Sequence, residues 1–352
     1  MISAPVATTK PYTRWLIAGA VLLLFIVVLI LLDRSLTLDP IAEWSMRIGL
    51  VVLGLVAAGA ILWYLRPEED VPLDAGDDVL LAIHGASTRL PRGTFLDRAM
   101  VLVLGPQGGA KTSLVIRSGG APELLAGVAP TGVNEAPQPT RTVNVWVMQD
   151  SIITELGGPL LGDVARWAKV TRALRAPRLS AALGRGHPAA RAAVVCVPVD
   201  LFFAGDSGQQ LDELRHTLRQ RLAEASRELG LALPVYVVFT RMDKLPQFEP
   251  WISVFTKDEL RAPLGATLTF DGAANAANYT ERLSPRLDAA FRQFVDNISV
   301  RRADVLGREN TQDRRYSAYE LPREFRKLIP AVTAFLVELC RPTQLGSSPQ
   351  LR

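Results

Sequence analysis

Val101-Leu102-Val103-Leu104-Gly105-Pro106-Gln107-Gly108-Gly109-Ala110-Lys111-Thr112-Ser113-Leu114-Val115-Ile116 is the stretch on which the fold turns. Four apolar residues run into a Gly-rich turn, and a lysine with two hydroxyl residues opens a second apolar run. The order is strand, loop, helix, and the spacing is that of a Walker A loop with Ala110 where the pattern has glycine. In such loops backbone amides and the helix start cradle phosphates, the lysine reaches their outer oxygens, and the hydroxyl after it holds magnesium. Gly105, Gly108, Gly109, Ala110, Lys111, Thr112 and Ser113 are therefore the candidate nucleotide-binding residues. The methyl of Ala110 is expected to hinder phosphate approach or a backbone angle that glycine adopts more easily. An ordinary Gly-rich turn is the competing reading.

Outward from the loop, Ala192–Val197 and Val235–Phe239 are short apolar, β-branched or aromatic runs, as expected of strands buried on both faces of a parallel sheet. Between them Leu211, Leu214, Leu218, Leu222, Ala225 and Leu229 recur at helical spacing, and Gly230 is placed to stop the helix. That is a strand–helix–strand crossover. Val143, Val145 and Val147 alternate with other residues ahead of Ser151–Thr154, which predicts an antiparallel hairpin at a sheet edge. Two helical stripes close the chain, one through Leu287, Phe291, Phe294 and Ile298, the other through Phe325, Leu328, Val332 and Leu336. Pro330 should kink or break the second. The expected class is α/β: a mixed, mostly parallel sheet with flanking helices, of the P-loop GTPase-like kind, and a helical subdomain after it.

The 352 residues are 49% hydrophobic and 21% charged, which excludes a disordered or fibrous chain. Residues 16–32 and 48–65 carry no charge and approach the length of a membrane-spanning helix, with Trp15, Trp44, Trp63 and Tyr64 near their ends. They predict a transmembrane hairpin with both termini in the cytoplasm. The expected organisation is a tail over 1–15, the hairpin over 16–65, an acidic linker over 66–78, the P-loop domain over 79–270, a helical subdomain over 271–345 and a tail over 346–352. Cys196 and Cys340 lie in apolar segments and read as buried free thiols. His84, His187 and His216 are far apart and suggest neither a metal site nor a hydrolytic triad.

The net charge is only +4, but Arg166, Lys169, Arg172, Arg175, Arg178, Arg185 and Arg191 follow one another, and Arg301, Arg302, Arg314 and Arg315 form a second group. A solvated helix face and contact with anionic lipid are the two readings; nucleic acid is not expected.

Phe239-Thr240-Arg241-Met242-Asp243, at the end of a predicted strand, resembles the base-reading loop of GTPases, with Thr240 and Asp243 in its key positions and arginine for the usual lysine. The series Gly105–Ser113, Thr140-Arg141 ahead of Trp146, Leu229-Gly230, Pro234–Thr240, Glu320–Phe325 and Leu339-Cys340-Arg341-Pro342 resembles the IcmF/TssM family of type VI secretion. The resemblance implies an inner-membrane protein whose cytoplasmic GTPase-like domain follows a membrane hairpin. It implies GTP or ATP with magnesium as cofactor if the loop is functional, and none if it is a retained turn. Thr112, Thr140 and Glu155 would be the metal residues, Glu155 standing where the family has the aspartate of its Asp-x-x-Gly loop. Partners implied are a small inner-membrane secretion protein with a cytoplasmic domain, the baseplate and further copies of the chain. Ala110, Arg241 and Glu155 all depart from the pattern, so a scaffold with a degenerate P-loop is the leading expectation and a slow GTPase or ATPase switch the alternative.

Overall fold

The computed structural model describes residues 19–21, 23–28, 40–64, 78–91, 94–128, 140, 142–175, 189–203, 208–269, 277–309, 311–342 and 348–352. Contacts divide the chain into two compact units, Met1–Asp74 and Ala75–Arg352.

In the first unit, α1 runs from Pro40 to Tyr64. Ile48, Val51, Val52, Leu53, Leu55 and Val56 are all exposed on it, and Phe25 of the preceding helical stretch lies against Gly54. No helix among the described residues is long and apolar enough to cross a membrane. The expected hairpin is therefore not seen among them. Residues 16–18, 22 and 29–32 of the first expected span, and the side chains of α1 beyond residue 59, lie outside the described set.

The second unit opens with α2 (Asp78–Arg89) and the short α3 (Thr94–Asp97). Then come β1 (Ala99–Leu104), α4 (Lys111–Ile116), β2 (Glu123–Ala126), β3 (Val143–Met148), β4 (Ser151–Leu156) and α5 (Val164–Ala173). β5 (Arg191–Pro198), α6 (Gly208–Leu229), β6 (Pro234–Thr240) and α7 (Phe248–Ile252) follow. Two long helices, α8 (Tyr279–Arg308) and α9 (Gln312–Leu339), precede β7 (Gln350–Leu351). The sheet order is β2-β3-β4-β1-β5-β6-β7, parallel from β4 to β7 and antiparallel across β2, β3 and β4.

The expected mixed, mostly parallel sheet is present, as are the β5–α6–β6 crossover and the left-handed Gly230 that ends α6. The hairpin β3–β4 forms as expected, but not at the edge: β4 pairs with β1 and the edge strand is β2. Gly127 and Val128, just after β2, close on Asn144, a long-range contact with no local signature. Nor is α9 broken at Pro330. That proline is exposed, so the one lost donor faces water while Leu328, Ile329, Val332, Leu336 and Leu339 stay buried. The core gathers Met100, Leu102, Leu104, Val143, Ile152, Val195, Val197, Leu218, Leu222 and Phe335 between the sheet and these helices.

Arg191 does not belong to a solvated or lipid-facing run. It is 7% exposed and donates to the carbonyls of Leu96 and Arg98, tying β5 to the segment before β1. Burial lowers its pKa, with Asp97 opposing. Cys196 and Cys340 are buried free thiols, as expected. His84 and His216 are exposed, and the described residues hold no cluster of His, Cys, Asp and Glu able to take a metal ion.

Candidate P-loop site

Because β1, β4, β5 and β6 are parallel, their carboxyl ends lie along one edge of the sheet, where open α/β sheets bind ligands. The loop Gly105–Ala110 leaves β1 at that edge. Gly105 has φ 152°, and a Cβ there would stand 2.6 Å from the carbonyl oxygen of Cys196 on β5. Ala110 adopts φ 55°, ψ 26°, a left-handed conformation that its Cβ disfavours. Of the two expected obstacles at Ala110, the backbone angle is a strain and not a block: the backbone takes the glycine-like angle with alanine in place.

Lys111 is 5% exposed and turns back onto its own loop, donating from Nζ to the carbonyls of Gly105 at 2.9 Å and Pro106 at 2.7 Å. Burial lowers its pKa, opposed by the nearby Glu155 carboxylate. Thr112, one residue on, aims its hydroxyl at Glu155.

Glu155 lies beside Val103 in register and is 0% exposed. Its Oε1 accepts from the hydroxyls of Thr112 and, at 2.7 Å, Thr140; these two oxygens are 3.3 Å apart. Its Oε2 accepts from Asn144 Nδ2 and Trp146 Nε1, each at 3.3 Å, and Asn144 Nδ2 also donates to Thr140 at 3.0 Å. The strand pairing explains the meeting: Asn144 faces Glu155 across the β3–β4 ladder, and Trp146 is two residues along the same face. Beyond Glu155, the Gly157-Gly158 turn presses on the loop, since a Cβ on Gly158 would meet Gln107 N at 2.3 Å.

The sequence-predicted Lys111, Thr112, Thr140 and Glu155 thus come together around one buried carboxylate. Gly108 and Gly109 complete the turn, while Ser113 is half-buried on α4 and outside the network. Asn144 was not foreseen, nor was the role of Trp146; alternation on one strand face opposite a carboxylate was the signal that could have found them.

Thr240 and Asp243 stand at the end of β6. Thr240 is buried with an unpartnered hydroxyl, while Asp243 is 58% exposed beside Lys244. Asp243 lies inside the 3-10 turn Met242–Lys244 and caps no helix. Arg241 is left-handed at φ 57° and pairs with Asp200 at 3.2 Å, so its guanidinium is held toward the turn after β5.

The model of the IcmF-related N-terminal domain matches residues 164–352. The chain belongs to the IcmF-related (IcmF/TssM) family. It is 23% identical over 258 residues to the type VI secretion system component TssM1 of Pseudomonas aeruginosa, covering 71% of this chain and 22% of that protein. The chain thus spans about a fifth of the length of that relative. Among solved structures, a GDP complex of the small COPII coat GTPase SAR1 from Encephalitozoon cuniculi aligns at 13% identity over 59% of this chain and 66% of its own, with a TM-score of 0.25. A score so low decides neither fold nor ligand. The family match begins at α5, so the loop, Thr140 and Glu155 lie before it.

Proposed function

We propose that this chain is a structural component of a type VI secretion membrane complex, built as a membrane hairpin carrying a P-loop domain that serves as a scaffold. Family membership and the likeness to TssM1 support the system. The exposed apolar side chains of α1 and the contact of Phe25 with Gly54 support the hairpin, with the second unit on the cytoplasmic side of the inner membrane. Expected partners are a small inner-membrane secretion protein, the baseplate and other copies of the chain.

The observation that carries the scaffold reading is the closure of the loop on itself. Lys111 is spent on the carbonyls of Gly105 and Pro106, and Thr112 on Glu155, so the groups that would meet a phosphate and its metal already have internal partners. A ligand must replace bonds that are buried and charge-assisted. The test is equilibrium binding of labelled GTP and ATP, with magnesium, to the full chain in detergent beside Lys111→Ala. Absence of binding at millimolar nucleotide supports the scaffold; turnover abolished by Lys111→Ala overturns it.

A slow GTPase or ATPase switch is the second reading, favoured by the left-handed Ala110 that keeps the loop backbone in shape. The oxygens of Thr112, Thr140 and Glu155 are the hard donors that suit magnesium, and those residues would hold it. Bound there, magnesium would supply charge neutralisation at the phosphates. Lys111 would then leave its carbonyls for the phosphates, and Asp243, with Thr240, would meet the base.

A further inference from the structure

The far end of the α8–α9 hairpin carries a basic, aromatic face. Tyr319 has the guanidinium of Arg302 4.6 Å from its ring centre and that of Arg323 at 5.0 Å. Tyr316 (58% exposed) and Val300 (75%) stand open nearby. Many cations of this region are spoken for: Arg308 by Glu259, Arg314 by Glu309, Arg323 by Glu320 and Arg326 by Asp296. Arg301, Arg302 and Arg315 have no carboxylate partner among the described residues, and Arg302 Nε is shielded from solvent without a hydrogen bond. Arginine and tyrosine are the residues that dominate protein–protein contacts. The interspersed carboxylates make the face a poor match for nucleic acid, whose regularly spaced phosphates need a dense cationic track.

The same chain supplies a complement. Residues 67–78 hold six carboxylates (Glu68, Glu69, Asp70, Asp74, Asp77 and Asp78) and no Lys or Arg, with Val71, Pro72 and Leu73 between them. Topology separates the two. Asp78 opens α2, which packs on β2 and β3, whereas α8 and α9 cover the β6–β7 end. Seven strands at about 4.8 Å put those ends roughly 29 Å apart. The ten residues from Glu68 to Asp78 reach about 34 Å only when fully drawn out. A complementary pair at opposite ends of one fold suits a head-to-tail contact between copies.

We propose that the Arg302–Tyr319–Arg323 face of one copy docks the acidic stretch 67–78 of a second copy. Nucleotide binding does not enter, so this contact and the scaffold reading fail separately. The test is a charge swap in the full chain in detergent, read by sedimentation. Arg302→Glu with Arg315→Glu, and separately Glu69→Lys with Asp70→Lys, should each weaken self-association about tenfold or more. Mixing the two variants should restore association, because each then offers what the other lacks. Circular dichroism of each variant checks that it is folded. Restoration only when all four changes sit in one chain would place the contact within a chain and overturn the proposal. So would a wild-type monomer, unchanged association in the variants, or loss of binding to anionic vesicles as the one effect of reversing the arginines.

Discussion

At the scale of the residue, Ala110 and Glu155 set the character of the site. Ala110 holds a left-handed angle against its own Cβ, so Ala110→Gly should raise the unfolding free energy by about 1 kcal/mol, measured by urea denaturation. Glu155 is the hub for Thr112, Thr140, Asn144 and Trp146. Glu155→Ala takes the shared acceptor from four buried donors and should cost on the order of 3 kcal/mol, while Asn144→Ala, which removes one of those donors and the acceptor of the Val128 N–H, should cost less, about 1–2 kcal/mol. Equal losses in the two variants would show that the network does not centre on the carboxylate. Burial pushes the thiols of Cys196 and Cys340 up to about 12. The folded chain therefore keeps protons that the unfolded chain sheds above about pH 8.5. Stability should fall as pH rises from there toward 12, partly opposed by Lys111, whose depressed pKa acts in the other direction. Neither thiol should react with a disulfide reagent at pH 8 until denaturant is added.

At the scale of the element, the sheet is held by residues that sequence patterns assign elsewhere. Arg191 looked like one member of a basic run, yet its guanidinium reaches two carbonyls on the segment that leads into β1. Arg191→Met should cost about 2–3 kcal/mol, and Arg191→Lys should recover little, because a single ammonium cannot reproduce the planar fork. The β3–β4 hairpin was legible from alternation, but its place inside the sheet was not. That depends on β1 choosing β4 as neighbour and on β2 covering β3, pairings between segments far apart in sequence. A helix through Pro330 is the same lesson reversed: local propensity yields where a buried stripe on either side already fixes the helix.

For the whole molecule, the two functional readings part on nucleotide, and the charge-swap experiment asks a different question of a different part of the fold. Reversing the arginines of the α8–α9 face is expected to leave nucleotide behaviour as it is in wild type, since that face and the loop lie on different elements. Labelled-nucleotide titration of the Arg302→Glu, Arg315→Glu chain checks this.

The sequence by itself determined the α/β class, the order of the main strands, the loop and its residues Lys111 and Thr112, because strand and helix periodicity and glycine placement act over a few neighbouring residues; Thr140 and Glu155 were legible only through the family resemblance. Only the tertiary structure decided that Glu155 closes on Thr112 and Thr140 with Asn144 and Trp146 behind it, that Lys111 folds back onto its own loop, and that Arg191 is internal. Those outcomes rest on strand register and on buried polar groups finding partners across 4 to 95 residues of chain. No local pattern encodes such a choice; it is made when the sheet assembles and every buried donor must be met.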